Sequence, residues 1–200
     1  MSTLSGMKVA ILVADGFEQV EMTDPRKALD EAGAQTRIVS PAKGQVQGWK
    51  HYDRADRFEV DVPLQEAEAE DFDALLLPGG VANPDQLRIT PRAVQFVHSF
   101  FETKKPVAVI CHGPWTLVEA DVVRGRAITS WPSVKTDLVN AGARWTDQEV
   151  VVDDGLISSR KPADIPAFNR RMIEEFAKAV RAAPSTSRST SKGTQPGARG

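Results

Sequence analysis

Cysteine occurs once in 200 residues, tyrosine once and histidine three times. A lone thiol cannot close an intramolecular disulfide or supply a cysteine-rich metal site, so a disulfide scaffold and a zinc finger are both excluded. Long hydrophobic runs are missing as well. No apolar stretch approaches the roughly 20 residues that a membrane helix needs, and Met1 to Gly6 lacks the basic and apolar regions of a signal peptide. The expectation is a cytoplasmic protein without membrane association. Nor is there an excess of one charge: 25 Lys and Arg stand against 27 Asp and Glu, a formal net charge of −2, which argues against nucleic acid as a partner.

What is present describes an ordinary globular chain, with 41% hydrophobic and 26% charged residues. The ending is different in kind. Residues 181–200 carry Arg181, Arg188, Lys192 and Arg199 but no acid, among Ser, Thr, Gly and Pro. Such a segment buries too little apolar surface to offset the entropy of ordering it. The expected organisation is one domain over 1–180 and a flexible basic tail over 181–200.

Three short apolar runs, Val9–Val13, Ala74–Leu77 and Val107–Ile110, do not alternate with polar residues. Strands buried on both faces of a parallel sheet have this pattern, and the intervening segments are long enough for crossover helices. Pro25 to Ala32, with Asp24 as its cap and Gly33 as its stop, predicts a first helix, and Gln35 to Val39 the next strand. Thr90-Pro91 opens a helix with an apolar face of Ala93, Val94, Val97, Phe100 and Phe101. Val134 to Ala141 and Ile165 to Val180 read as further helices. Val150–Val152, Asp153-Asp154-Gly155 and Leu156–Ser158 read as strand, turn and strand, and Gln45 to Val60 as a hairpin-like excursion. The fold class is α/β: a single-domain, doubly wound, mainly parallel sheet with helices on both faces. Ligands of such sheets bind beyond the carboxyl ends of the strands.

The segments that follow the three runs hold the chemistry. Ala14-Asp15-Gly16-Phe17-Glu18 follows the first, Pro78-Gly79-Gly80 the second and Cys111-His112-Gly113-Pro114 the third. Cys111 is either a small buried apolar residue or a reactive thiol. Its place at a strand-to-helix turn favours the second, because a helix N-terminus stabilises thiolate, and a pKa below the free-thiol value is expected. His112 can move a proton or offer its backbone amide. His98 and His51 read as solvated surface. Glu18 is either a proton carrier in the first turn or, like Glu21, a solvated or capping acid. Gly79 and Gly80 either bring bare amides close to an oxyanion or make an ordinary tight turn.

Taken together with Ser158-Ser159-Arg160-Lys161-Pro162-Ala163-Asp164, these blocks resemble the PfpI-type intracellular protease family, within the superfamily of the parkinsonism-associated protein deglycase. The resemblance runs from about Met7 to Ala179 and implies a flavodoxin-like, class I glutamine amidotransferase-like fold. It implies Cys111 in a strained elbow, Glu18 hydrogen-bonded to its thiolate, and an oxyanion or substrate-binding set of Gly79, Gly80, Gly113 and Arg160. It further implies His112 oriented by an acid of a neighbouring subunit in the loop after the Gly-Gly pair, matched here by Asp85, and hence a homodimer or larger assembly. No metal or cofactor is implied. Glutamine hydrolysis is excluded, since Val109 stands where those enzymes carry the first glycine of Gly-x-Cys-x-Gly and no histidine follows His112. Three functions remain open: a stress-related enzyme acting on small aldehydes or glycated protein, a cysteine peptidase, and an oxidation-sensing stress protein or holdase.

Overall fold

The computed structural model describes residues 3–182. Its elements are β1 (Lys8–Leu12), β2 (Phe17–Glu18), α1 (Gln19–Glu31), β3 (Gln35–Ser40), β4 (Gln45–Lys50), β5 (Asp53–Glu59), β6 (Val62–Pro63), β7 (Ala74–Leu77), α2 (Ala82–Arg88), α3 (Pro91–Glu102), β8 (Val107–Ile110), α4 (Pro114–Glu119), β9 (Ala127–Ile128), α5 (Lys135–Asn140), β10 (Arg144–Trp145), β11 (Val150–Asp153), β12 (Leu156–Ser159) and α6 (Ile165–Ala182). The main sheet has seven strands in the order β11-β12-β8-β7-β1-β3-β6. All neighbours are parallel except β11, which pairs antiparallel with β12. The fold is thus α/β with a mainly parallel central sheet flanked by helices.

The three apolar runs lie side by side as β1, β7 and β8, and their uniform hydrophobicity has a direct cause. Ala10, Leu12, Leu75, Leu77, Val107 and Val109 face α3, α4 and α5, where they meet Phe96, Phe100, Leu117 and Leu138. Val9, Ile11, Ala74, Leu76, Ala108 and Ile110 face α1 and α6, packing on Met22, Leu29, Phe168, Met172 and Phe176. With both faces covered, no position from Val9 to Leu12, Ala74 to Leu77 or Val107 to Ile110 meets water, and none gains from being polar, whereas Lys8 at the start of β1 is exposed.

The chain reverses winding direction at β1, whose neighbours are β3 on one side and β7 on the other. The crevice at the carboxyl ends of β1, β7 and β8 is therefore the topological switch point of the sheet. The Asp154-Gly155 hairpin turn has positive φ at both residues, 44° and 82°, as a two-residue turn with right-handed strand twist requires. The excursion after β3 forms the hairpin β4–β5, joined by β2 into a separate three-stranded sheet.

Two local expectations fail. The first helix begins at Gln19, six residues before Pro25, so proline sits inside it and leaves a backbone bond unmade. Pro25 is buried with Met22 and Leu29 at helical spacing, and packing of that face overrides the local breaking signal. The loop expected after the Gly-Gly pair is instead the helix α2. Beyond Ala182 the expected basic tail lies outside the described residues.

Candidate active site

Cys111 directly follows β8 with φ at 62°, a left-handed conformation that costs a non-glycine residue roughly 1–2 kcal/mol. Backbone bonds on every side impose it. The Cys111 amide donates to the Ser159 carbonyl at 3.0 Å, its carbonyl accepts from the Trp131 amide at 2.9 Å, and the Gly113 amide donates back to Ile110 at 3.0 Å. A Cβ on Gly113 would stand 2.8 Å from the Leu77 carbonyl oxygen, so glycine lets the elbow lie against β7. That amide is consumed by the turn, and Gly113 shapes the elbow rather than binding substrate as expected.

The Gly-Gly pair faces the elbow at a distance only glycine allows. A Cβ on Gly79 would lie 2.6 Å from Glu21 Oε2 and 2.7 Å from Cys111 Cβ; one on Gly80, where φ is 77°, would lie 2.5 Å from the Gly16 carbonyl oxygen. These contacts answer the question left open by the sequence: close approach, beyond the needs of a tight turn, excludes side chains here. The Gly80 and His112 amides both point at the Cys111 sulfur. The Gly79 amide does not join them, for it donates to Glu21 Oε2 at 2.8 Å. Asn83, fully buried on α2, ties the crevice together: its Oδ1 accepts the Ala14 amide at 2.7 Å, and its Nδ2 donates to the Pro78 and Gly79 carbonyls at 2.9 and 3.0 Å.

The carboxyl beside the sulfur belongs to Glu21, not to Glu18. Glu21 is fully buried, its carboxyl faces Cys111 closely enough for the two to interact, and Oε1 has no well-aligned partner. Glu18 lines the same cavity but turns away, accepting the His51 amide at 2.9 Å, with His51 Nδ1 at 3.8 Å. With α1 starting at Gln19, the residue in its first turn rather than the one preceding the helix reaches the elbow.

Burial pushes the Glu21 carboxyl up to about 8, against an ordinary value of 4.5, so it holds its proton at neutral pH. Burial, and after it the charge of an ionised Glu21, also push the Cys111 thiol up. This reverses the expectation of a lowered pKa: Cys111 is only 7% exposed, and its desolvation outweighs the two amides facing it. Burial likewise holds His112 below its ordinary value, leaving a neutral imidazole. His112 Nδ1 lies 3.2 Å from Cys111 Sγ, and Nε2 lies 3.3 Å from Ser133 Oγ. The ring contacts Trp115 and Trp131, at centroid distances of 5.2 and 6.0 Å.

Cys111, His112, Glu18, Glu21 and Gly80 line one cavity of about 360 Å³, with His51 and Tyr52 of the β4–β5 hairpin, Val81, Trp131 and Pro162 around them. Arg160 and Asp85 do not line it. The Arg160 guanidinium is held by Asp164 at 2.8 and 3.1 Å and by Asp147 at 2.7 Å, a clamp that ties the residue after β12 to the turn before α6 and to the segment ahead of β11, in place of the expected substrate contact. Asp85 is exposed in the first turn of α2. Among the described residues no group of three His, Cys, Asp or Glu side chains is placed to hold a metal ion, and no helix is long and apolar enough to cross a membrane.

The profile of the DJ-1/PfpI family matches residues 7–175 of this chain. The chain belongs to the DJ-1/PfpI family. It is 44% identical over 168 residues to the Pyrococcus horikoshii protein named deglycase PH1704, covering 84% of this chain and 98% of that one. It is 43% identical over 166 residues to Bacillus subtilis YraA, named as a candidate cysteine protease, covering 83% and 96%. The crystal structure of Drosophila melanogaster DJ-1beta superposes with a TM-score of 0.78 at 27% identity, over 88% of this chain and 94% of that one.

Burial of the Glu21 carboxyl couples the stability of the fold to pH. A carboxyl whose pKa rises on folding stabilises the fold below about 4.5, and that contribution is lost as pH rises through about 8. Urea unfolding of the wild type should therefore weaken between pH 5 and pH 8 relative to Glu21→Gln, by an amount on the order of a few kcal/mol. Taking the difference from the variant cancels titrations common to both proteins, including the opposite contribution of His112. A wild-type minus variant difference that stays flat with pH contradicts a buried, protonated Glu21.

Proposed function

We propose that this protein is a cysteine-dependent enzyme of reactive carbonyls, acting on small 2-oxoaldehydes and early glycation adducts. One observation carries the reading: a buried thiol stands 3.2 Å from a neutral imidazole and faces a protonated carboxyl, inside a cavity of small-molecule size. In the first step His112 Nδ1 takes the Cys111 proton while sulfur bonds to the aldehyde carbon. The carbonyl π pair moves to oxygen, beside the Gly80 and His112 amides, and Glu21 donates its proton there to give a hemithioacetal. Glu21, now a carboxylate, removes the hydrogen on the former aldehyde carbon and delivers it to the adjacent carbon through an enediol, while the hemithioacetal hydroxyl proton passes to the neighbouring oxygen, so that the former aldehyde oxygen becomes the thioester carbonyl and the former ketone oxygen the hydroxyl. Water, giving one proton to the Glu21 carboxylate, then adds to the thioester carbon, and the C–S bond cleaves as the His112 imidazolium returns its proton to sulfur, leaving a 2-hydroxy acid and the free thiol. The deglycase name of the Pyrococcus horikoshii relative supports this chemistry.

Peptide hydrolysis uses the same nucleophile and base, and the name of YraA points that way. It requires a groove for an extended chain, however, whereas the cavity of about 360 Å³ that Cys111 shares with His51 and Tyr52 is of small-molecule size. An oxidation sensor requires an accessible, easily ionised thiol, and burial works against both conditions. The test is to incubate wild-type and Cys111→Ser protein with methylglyoxal, a glycated peptide and an unfolded protein. Cys111-dependent formation of lactate from methylglyoxal, or release of unmodified peptide, is the expected outcome. Cleavage of the unfolded chain with no consumption of the other two overturns the proposal in favour of a peptidase.

A further inference from the structure

We infer that Ser133 is a positioning residue for His112, filling within one chain the place that the resemblance gave to an acid from another subunit. The inference rests on the reading of His112 as the base that accepts the Cys111 proton. A neutral imidazole carries one ring proton, and only the tautomer protonated at Nε2 has a lone pair on Nδ1 to receive a proton from sulfur. Nδ1 is 3.2 Å from Cys111 Sγ, so the other nitrogen decides which tautomer prevails. That nitrogen, Nε2, lies 3.3 Å from Ser133 Oγ. A hydroxyl that accepts from Nε2–H keeps the lone pair on Nδ1 aimed at the thiol.

The placement of Ser133 is built into the backbone. Ser133 lies in the 3₁₀ turn Pro132–Val134, two residues after Trp131, whose amide is bonded to the Cys111 carbonyl at 2.9 Å. The same segment thus fixes the elbow through its backbone and the imidazole through its side chain. Trp131 stacks on the ring with an interplanar angle of 27°, and Trp115, tilted against the same ring at 57°, is pinned by its Nε1 bond to Asp137 Oδ2 at 2.7 Å. The rings limit tilting, and the Ser133 hydroxyl sets rotation in the ring plane. During addition the S–H bond breaks and its proton moves to Nδ1. The resulting imidazolium keeps its Nε2–H bonded to Ser133, and when the C–S bond cleaves the same proton returns to sulfur. Ser133 neither gains nor loses a proton.

The test combines ring ¹⁵N NMR of His112 with steady-state kinetics on methylglyoxal, for wild type, Ser133→Ala, Ser133→Thr and Asp85→Ala. Ser133 is exposed, so these substitutions leave the core intact. Wild type and Ser133→Thr should show the Nε2–H tautomer. Ser133→Ala should shift the ring signals toward a tautomer mixture and lower kcat about 3- to 10-fold, the effect of one net hydrogen bond, with KM unchanged. The inference is overturned if Ser133→Ala leaves the ring signals unmoved, or if Asp85→Ala moves them and Ser133→Ala does not. Should wild type consume no carbonyl substrate, the functional reading fails, and the tautomer measurement still decides the role of Ser133.

Discussion

Replacing Cys111 with alanine should reduce methylglyoxal turnover at least about 10⁴-fold while leaving the fold in place. The loss is large because the sulfur is the only atom that bonds to substrate in the proposed scheme, and neither His112 nor Glu21 supplies a substitute nucleophile. The fold should persist because alanine retains the Cβ and so accepts the 62° φ at the cost cysteine already bears. Loss of the sulfur leaves a small void at a position that is 7% exposed, worth about 1 kcal/mol, and a thermal midpoint shift of roughly 2–4 °C follows for a chain of this size. The paired measurements are lactate formation and thermal unfolding. Residual turnover within tenfold of wild type removes Cys111 from the mechanism, and a collapse of the melting transition would instead mean that the thiol is a structural keystone.

The second large effect belongs to Glu21. Glutamine has nearly the same shape, can accept the Gly79 amide and can present N–H to the sulfur, but cannot deliver or remove a proton. Glu21→Gln should therefore lower kcat by about 10²–10⁴, the usual contribution of a positioned acid and base. Alkylation of Cys111 by iodoacetamide should behave differently. Near pH 7 the rates of variant and wild type should be similar, since Glu21 is neutral there. Above about pH 8 wild-type Glu21 ionises and its charge holds the thiol proton more tightly, whereas glutamine does not, so the variant should alkylate faster at pH 9. Unchanged kcat in the variant would return the proton-carrying role to Glu18. Equal alkylation at pH 9 would mean that the carboxyl and the sulfur do not interact.

Both experiments bear on a point where sequence and structure part company. Glu18 and Glu21 are three residues apart, and either could serve the first strand end. Pro25 reads as the start of a helix, which would leave both acids in a loop with the earlier one nearer the strand. Once the helix begins at Gln19, Glu21 turns into the crevice and becomes fully buried, while Glu18 meets the β4–β5 hairpin. The Glu-x-x-Glu spacing was visible in the chain, but its orientation depended on packing of Met22, Pro25 and Leu29 against the sheet and α6.

The amino-acid sequence by itself determined the sheet, because β1, β7 and β8 are apolar on both faces, and it determined the location of the site, because Cys111, the Gly-Gly pair and the first turn all follow those runs. Local composition suffices for such features, since burial on two sides demands uniform hydrophobicity and close backbone approach demands glycine. Tertiary structure alone decided which acid faces the sulfur and that burial raises the thiol pKa. It also decided that Gly79 holds Glu21 and that Arg160 is spent on Asp147 and Asp164. Ser133, Trp131 and Asn83 join the site from segments well separated from Cys111 in the chain or from the turn of another strand. Desolvation and hydrogen-bond direction depend on everything that surrounds a group, and those surroundings come from distant parts of the chain that only folding assembles.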